Sequence, residues 1–160
     1  MPLIHLWTYR ENRRNYPGYH LSSDAAGCAL LSTVFAAISE ATERRVEKVA
    51  LKPVTPEALA VPNNRAGNAS VFSFTHWVID ADPSFDNEYL HFEERDLECY
   101  MFVSPYQAAR VRAGVDDIAR GRGDYSIGAG HDALCFWWQV TPKPLQRTLS
   151  GVASRRRSGR

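Results

Sequence analysis

The chain opens on LIHLWTY, residues 3–9, a run of strand-forming residues in two interleaved sets. Successive strand side chains alternate, so Leu3, His5, Trp7 and Tyr9 share one face and Ile4, Leu6 and Thr8 the other. The following RENRRNYPGYH is polar and holds the pair Pro17–Gly18, so residues 10–20 read as a loop. Ser22, Ser23 and Asp24 then offer N-caps for a helix running to about Thr42. Leu31, Val34, Phe35 and Ile38 recur at helical spacing and make one apolar stripe, which Cys28 and Leu30 widen.

Residues 46–54, VEKVALKPV, alternate loosely and predict a second strand ending near Pro53. Thr55-Pro56-Glu57 begins a turn or a short helix, since threonine caps and proline suits the first helical position. Residues 61–68 read as loop. ASVFSFTHWVI at 69–79 is strand-like, DADPSFDN at 80–87 is a turn, and the chain returns over 88–103. These two stretches are expected to pair antiparallel, with EERD as a bulge or a break into two strands. Leu97, Cys99, Met101 and Val103 give the return strand one wholly apolar face.

Ser104-Pro105-Tyr106-Gln107 has the S-x-x-Q form of a capping box with proline at the first helical position. The helix behind it shows Ala108, Val111, Val115 and Ile118 on one side. Gly114 inside it costs about 1 kcal/mol relative to alanine, which demands a packing reason. Gly121 is placed as the C-cap. A turn-rich connection, GRGDYSIGAGHD, leads to a last strand at 133–140. There Leu134, Phe136, Trp138 and Val140 oppose Cys135, Trp137 and Gln139. The order β-α-β-β-β-α-β predicts an α+β two-layer sandwich: a mixed or antiparallel sheet of about five strands with two main helices on one face. Residues 1–142 make one domain, and 143–160 a basic tail without periodicity, expected to be disordered.

Charge sharpens this division. The net charge is +1, yet 143–160 carry six cations and no acid, which leaves −5 on 1–142. Between Asp80 and Glu98 eight carboxylates face Arg95 alone. An odd count of three cysteines and no secretion signal at the N-terminus point to reduced thiols and a cytoplasmic protein. No apolar run is long enough for a membrane helix.

Few chemistries fit these residues. The glycines of 121–130 match neither a dinucleotide fingerprint nor a P-loop, and their simplest role is to supply turn conformations. Asp124 across that turn could fix the tautomer of His131, with Tyr125 as a proton donor, which would make a small enzyme with its site at 124–132. Cys28 lies near a helix start but on its apolar side, so a nucleophilic role is disfavoured. The five histidines show no metal-ligand spacing; His76 and His91 could meet across the expected hairpin beside Asp80 or Glu93, but no metal or other cofactor is expected. Loop 10–20 with its tyrosines and the arginine-rich tail suggest weak nucleic-acid contact, and the acidic body opposes specific binding.

The aromatic residues weigh most. All four tryptophans fall on expected strands, and Trp7, Trp137, Tyr100 and Phe102 are candidates for a second sheet surface not covered by helices. An aromatic patch ringed by acids suits protein recognition. The expected function is therefore a non-catalytic protein-binding module, immunity- or inhibitor-like, using Glu93, Glu94, Asp96, Glu98, Tyr100 and Trp137. A homodimer is the other way to cover such a face.

Overall fold

In the computed structural model, which describes residues 1–11, 13–14, 16–64 and 69–138, strand β1 (Ile4–Tyr9) pairs antiparallel with β2 (Tyr19–Ser23). The second strand lies where the sequence predicts a loop and helix caps. Tyr19 and Leu21 alternate inward between His20 and Ser22, and all five residues are buried. Gly18 allows the sharp entry: its φ of +83° is a left-handed conformation, and a Cβ there would strike the Ala133 carbonyl. Only Asp24 of the three cap candidates caps helix α1 (Ala25–Ser39), accepting from the Gly27 amide at 2.7 Å. The stripe Leu31, Phe35 and Ile38 is buried with Cys28. Leu30 is exposed instead, because one residue turns a helix by about 100° and carries it off the stripe.

Strand β3 (Arg45–Ala50) is followed by the short helix α2 (Pro56–Leu59), capped by Thr55, and a single 3-10 turn at Pro62–Asn64. The expected strand 69–79 divides into β4 (Val71–Ser73) and β5 (His76–Ala81). The Phe74 amide still donates to Leu6 in the first sheet, whereas the Thr75 amide donates to Leu97 in a turn of the second. The chain thus changes sheets within two residues.

Residues 88–103 also divide, into β6 (Leu90–Arg95) and β7 (Glu98–Val103), joined at Asp96–Leu97 with Asp96 at φ 52°. That extra reversal overturns the expected antiparallel pairing: β7 runs parallel to β5, and β6 is antiparallel beside β7. Leu97 sits in the turn and is exposed, outside the apolar face of Cys99, Met101 and Val103.

Ser104 caps helix α3 (Pro105–Ala119) by accepting from the Gln107 amide. The reciprocal half of the capping box is not made; Gln107 Nε2 donates to the Glu88 carbonyl instead. Gly114 has the packing reason its position demanded, since a Cβ there would collide with the Phe136 ring. Gly121, at φ +73°, donates its amide to Ile118 and closes the helix. The connection 121–132 contains a short strand, β8 (Tyr125–Ile127), and a 3-10 turn at Gly130–Asp132 before β9 (Leu134–Phe136). Trp138 lies beyond β9 and is exposed. Gln139, Val140 and the tail 143–160 lie outside the described residues.

The class is α+β, but the single sheet of about five strands resolves into two, ordered β4-β1-β2-β9-β8 and β3-β5-β7-β6 among the described residues. The main core fills between their inner faces and the helix pair α1–α3. Leu6, Leu21 and Phe136 enter it from the first sheet, Trp77, Ile79 and Met101 from the second, and Phe35 packs near Trp77 at 5.5 Å. A second core lies on the other face of the first sheet, where Trp7, Tyr9 and Trp137 meet Leu59 and Val61. The first sheet is therefore packed on both faces. Among the described residues the second is packed on one.

Candidate functional site

The outward face of the four-stranded sheet follows from register. Directly opposed residues share a face, which gives three rows across β3, β5, β7 and β6. They are Ala50, His76, Glu98, Arg95; then Lys48, Val78, Tyr100, Glu93; then Val46, Asp80, Phe102, His91. Val78, Tyr100 and Phe102 stand at its centre and belong to neither core cluster, although Val78 itself is buried. Tyr100 and Phe102 are half-buried, and Val46 and Lys48 at the β3 edge are exposed.

Ionic contacts frame the aromatic centre. Glu98 receives Lys48 Nζ and, at 3.0 Å, the Tyr100 hydroxyl; Lys48 first and Tyr100 second hold its carboxyl below the ordinary range. Arg95 bonds Glu93 and lies over the Tyr100 ring, its guanidinium carbon 4.2 Å from the ring centre. Arg44 grips the buried Asp80 carboxylate with two bonds of 2.8 and 2.5 Å. His91 stacks on Phe102 with its Nδ1 3.1 Å from Asp132 Oδ1. The face is thus not simply acidic: Asp80, Glu93 and Glu98 are each matched by a cation of the same surface.

The six expected binding residues do not form one set. Glu93, Glu98 and Tyr100 share this outward face. Glu94 projects to the opposite side, where the Tyr19 hydroxyl donates to it at 3.1 Å and Arg13 approaches at 3.5 Å. Asp96 forms the β6–β7 turn. Trp137 is 3% exposed in the second core, as Trp7 is at 0%, so neither lines an open surface. The sequence showed large residues on both faces of several strands. It did not show that residues 54–61 return to cover one of the two sheets.

Within that second core His20 is 1% exposed. Trp137 Nε1 donates to its Nδ1 at 3.0 Å, and the rings of Trp7 and Trp137 stack at 5.6 and 6.0 Å. Burial pushes its pKa down to about 4, with a smaller opposing effect from the Tyr16 backbone. The ring is therefore neutral and packed, with Nε2 bearing the proton. The Tyr9 hydroxyl and Trp7 Nε1 have no hydrogen-bond partner among the described residues.

The loop 124–132 does not assemble the expected dyad. Asp124 is exposed at φ 65°, and its backbone amide bonds Phe136. His131 is exposed, and among the described residues no hydrogen bond or ion pair joins it to Asp124. Tyr125 donates to Asp117 at 2.9 Å; burial first and that carboxylate second push its pKa up to about 12. Asp132 has the clearest structural role, because its carboxylate accepts the Phe92 amide at 2.8 Å and so caps the outer edge of β6. His76 and His91 lie on strands either side of β7 and do not face each other. Among the described residues no group of three His, Cys, Asp or Glu side chains is arranged to hold a metal. Cys28 and Cys99 are buried thiols whose pKa values burial raises, and burial pushes the partly buried Cys135 up to about 11. No described helix is long and apolar enough to cross a membrane. No protein-family model matches the chain, and no curated protein or solved structure is significantly similar to it.

Proposed function

We propose that the protein works by binding a basic partner protein through the outward face of its four-stranded sheet. One observation carries this reading: Tyr100 and Phe102, partly exposed over the buried Val78, form an aromatic centre that neither core absorbs, framed by carboxylates and cations. Aromatic anchors inside a polar rim are the usual energetic centre of a protein interface. Residues 1–142 carry −5 against +6 on 143–160, so the domain, though not the whole chain at +1, favours a cationic partner. An immunity-like or inhibitor protein directed against a basic target is the concrete form of this reading.

The test begins with native mass and ends with mapping. A partner retained from the source cell is purified, and its dissociation constant is measured against single variants. Tyr100→Ala and Phe102→Ala are each expected to weaken binding at least tenfold, as for interface hot spots. Leu30→Ala and Tyr106→Ala, at exposed helix positions, serve as controls and should change it less than twofold. Equal effects at both sets would overturn the reading. So would a concentration-dependent dimer abolished by Phe102→Glu, which would give the face to a second copy of the chain.

A further inference from the structure

Arg95 already fills the place a basic partner would seek. Its guanidinium carbon stands 4.2 Å from the Tyr100 ring centre and 5.9 Å from that of Phe102. Its Nε and Nη2 donate to Glu93 Oε2 at 3.2 and 2.7 Å. The register makes this seat: Glu93 lies directly opposite Tyr100, and Arg95 is one diagonal step away on the same face. A ring forms the floor and a carboxylate one wall. The other Glu93 oxygen faces His91 Nε2 at 3.7 Å, so Oε2 is left for a guanidinium.

Such a seat discriminates between cations. A guanidinium is planar and weakly hydrated, stacks on an aromatic ring and still donates within its plane. An ammonium is a compact, strongly hydrated point charge and gains less there. The resident arginine is also loosely held. The side chains of Arg95 and Glu93 are 53% and 43% exposed, and an exposed ion pair of this kind is readily exchanged for water.

We propose that the seat is the arginine-recognition subsite of the open face: an arginine of the partner displaces Arg95, stacks on Tyr100 and takes Glu93 Oε2. Arg95 is then a built-in competitor that keeps the rings covered until a partner arrives. This inference rests on the docking reading above and names the chemistry that face selects.

The full chain is titrated by NMR with the capped peptide Gly-Arg-Gly-Arg-Gly and with its lysine counterpart, at one fixed pH and salt. Arg95→Ala empties the seat while leaving Glu93 and Tyr100 in place. It should tighten arginine-peptide binding about three- to tenfold, in line with the strength of one cation–π contact. The Tyr100 ring and Glu93 amide signals should shift. The lysine peptide should bind several-fold more weakly, and Arg95→Ala with Tyr100→Leu should lose the gain. Unchanged or weaker binding by Arg95→Ala would overturn the proposal. So would equal binding of both peptides with shifts spread over every acidic stretch, the mark of unspecific attraction. Amide dispersion confirms that each variant is folded. If the peptides fail while Phe102→Ala still loosens the natural partner, the seat falls and the docking face stands. If Phe102→Ala leaves that partner bound, the docking face itself falls.

Discussion

His20 carries a cost that grows as the solution is acidified. Unfolded, its pKa is 6.5; folded, burial between Trp7 and Trp137 lowers it to about 4. Above pH 6.5 both states are neutral and the ring contributes fully. As pH falls from 6.5 toward 4 the unfolded chain takes a proton that the folded chain refuses, so stability drops by one proton's slope and levels below 4. A shift of this size corresponds to about 3 kcal/mol across that window. Urea unfolding from pH 7.5 to 3.5 should show this slope, and His20→Gln should remove that one-proton component; parallel curves would refute it. Gly114 makes a second prediction at this scale. Alanine favours helix by about 1 kcal/mol, but here its methyl meets the Phe136 ring, and overpacking costs about 1–3 kcal/mol. Gly114→Ala should therefore lower the melting temperature, where an unhindered helical glycine would raise it. These residues were unequally legible. Gly114 announced itself as a costly glycine inside a predicted helix. His20 did not, because YPGYHLSS offers turn and cap residues where a buried strand runs, and only tertiary neighbours separate the two.

The ends and edges of elements decided more than their middles. The helices were visible because a fifteen-residue amphipathic pattern repeats several times and both carry caps, Asp24 and Ser104, in the expected places. The strands between 69 and 103 were harder. A three-residue strand such as β4 holds too few alternations to define a face, and the sheet change at Phe74–Thr75 leaves no mark on an unbroken apolar run. The candidate site suffered from the same cause. Glu93 and Glu94 are adjacent, so a strand must send them to opposite faces, yet that rule needed the β6 boundaries to be applied. Edge protection yields the prediction proper to this scale. Asp132 reaches from the turn before β9 to cap the Phe92 amide, which would otherwise lie open on an edge strand. Asp132→Ala should speed hydrogen exchange at the Phe92 amide and cost about 1.5–3 kcal/mol, the worth of a hydrogen bond to a charged acceptor. Asp132→Asn keeps an acceptor oxygen and should recover part of the protection. Unchanged exchange at Phe92 in Asp132→Ala would show that the edge is covered by other means.

Across the whole molecule the two sheets are treated differently, and that asymmetry is the physical basis for looking outward at one of them. The first sheet has α1 and α3 over one face and residues 54–61 over the other, so Trp7, Tyr9 and Trp137 are spent on stability. The second sheet gives Trp77, Ile79 and Met101 to the shared core and leaves Tyr100 and Phe102 half covered. If this partition is right, aromatic residues of similar size should differ sharply in what their loss costs. Trp7→Ala opens a packed cluster and should destabilise by about 3–5 kcal/mol. Tyr100→Ala removes a partly exposed ring outside both cores, with its Glu98 hydrogen bond and its Arg95 contact, and should cost about 1–2 kcal/mol. Because both sheets close on one core through the helix pair, Trp7→Ala should shift a single cooperative transition and not split it. Urea unfolding followed by tryptophan fluorescence and by far-ultraviolet circular dichroism measures both points. Coincident transitions with a large Trp7 effect and a small Tyr100 effect would leave Tyr100 available for recognition. Comparable losses at the two positions would mean that the outward face is structural, and the binding role assigned to it would lose its physical ground.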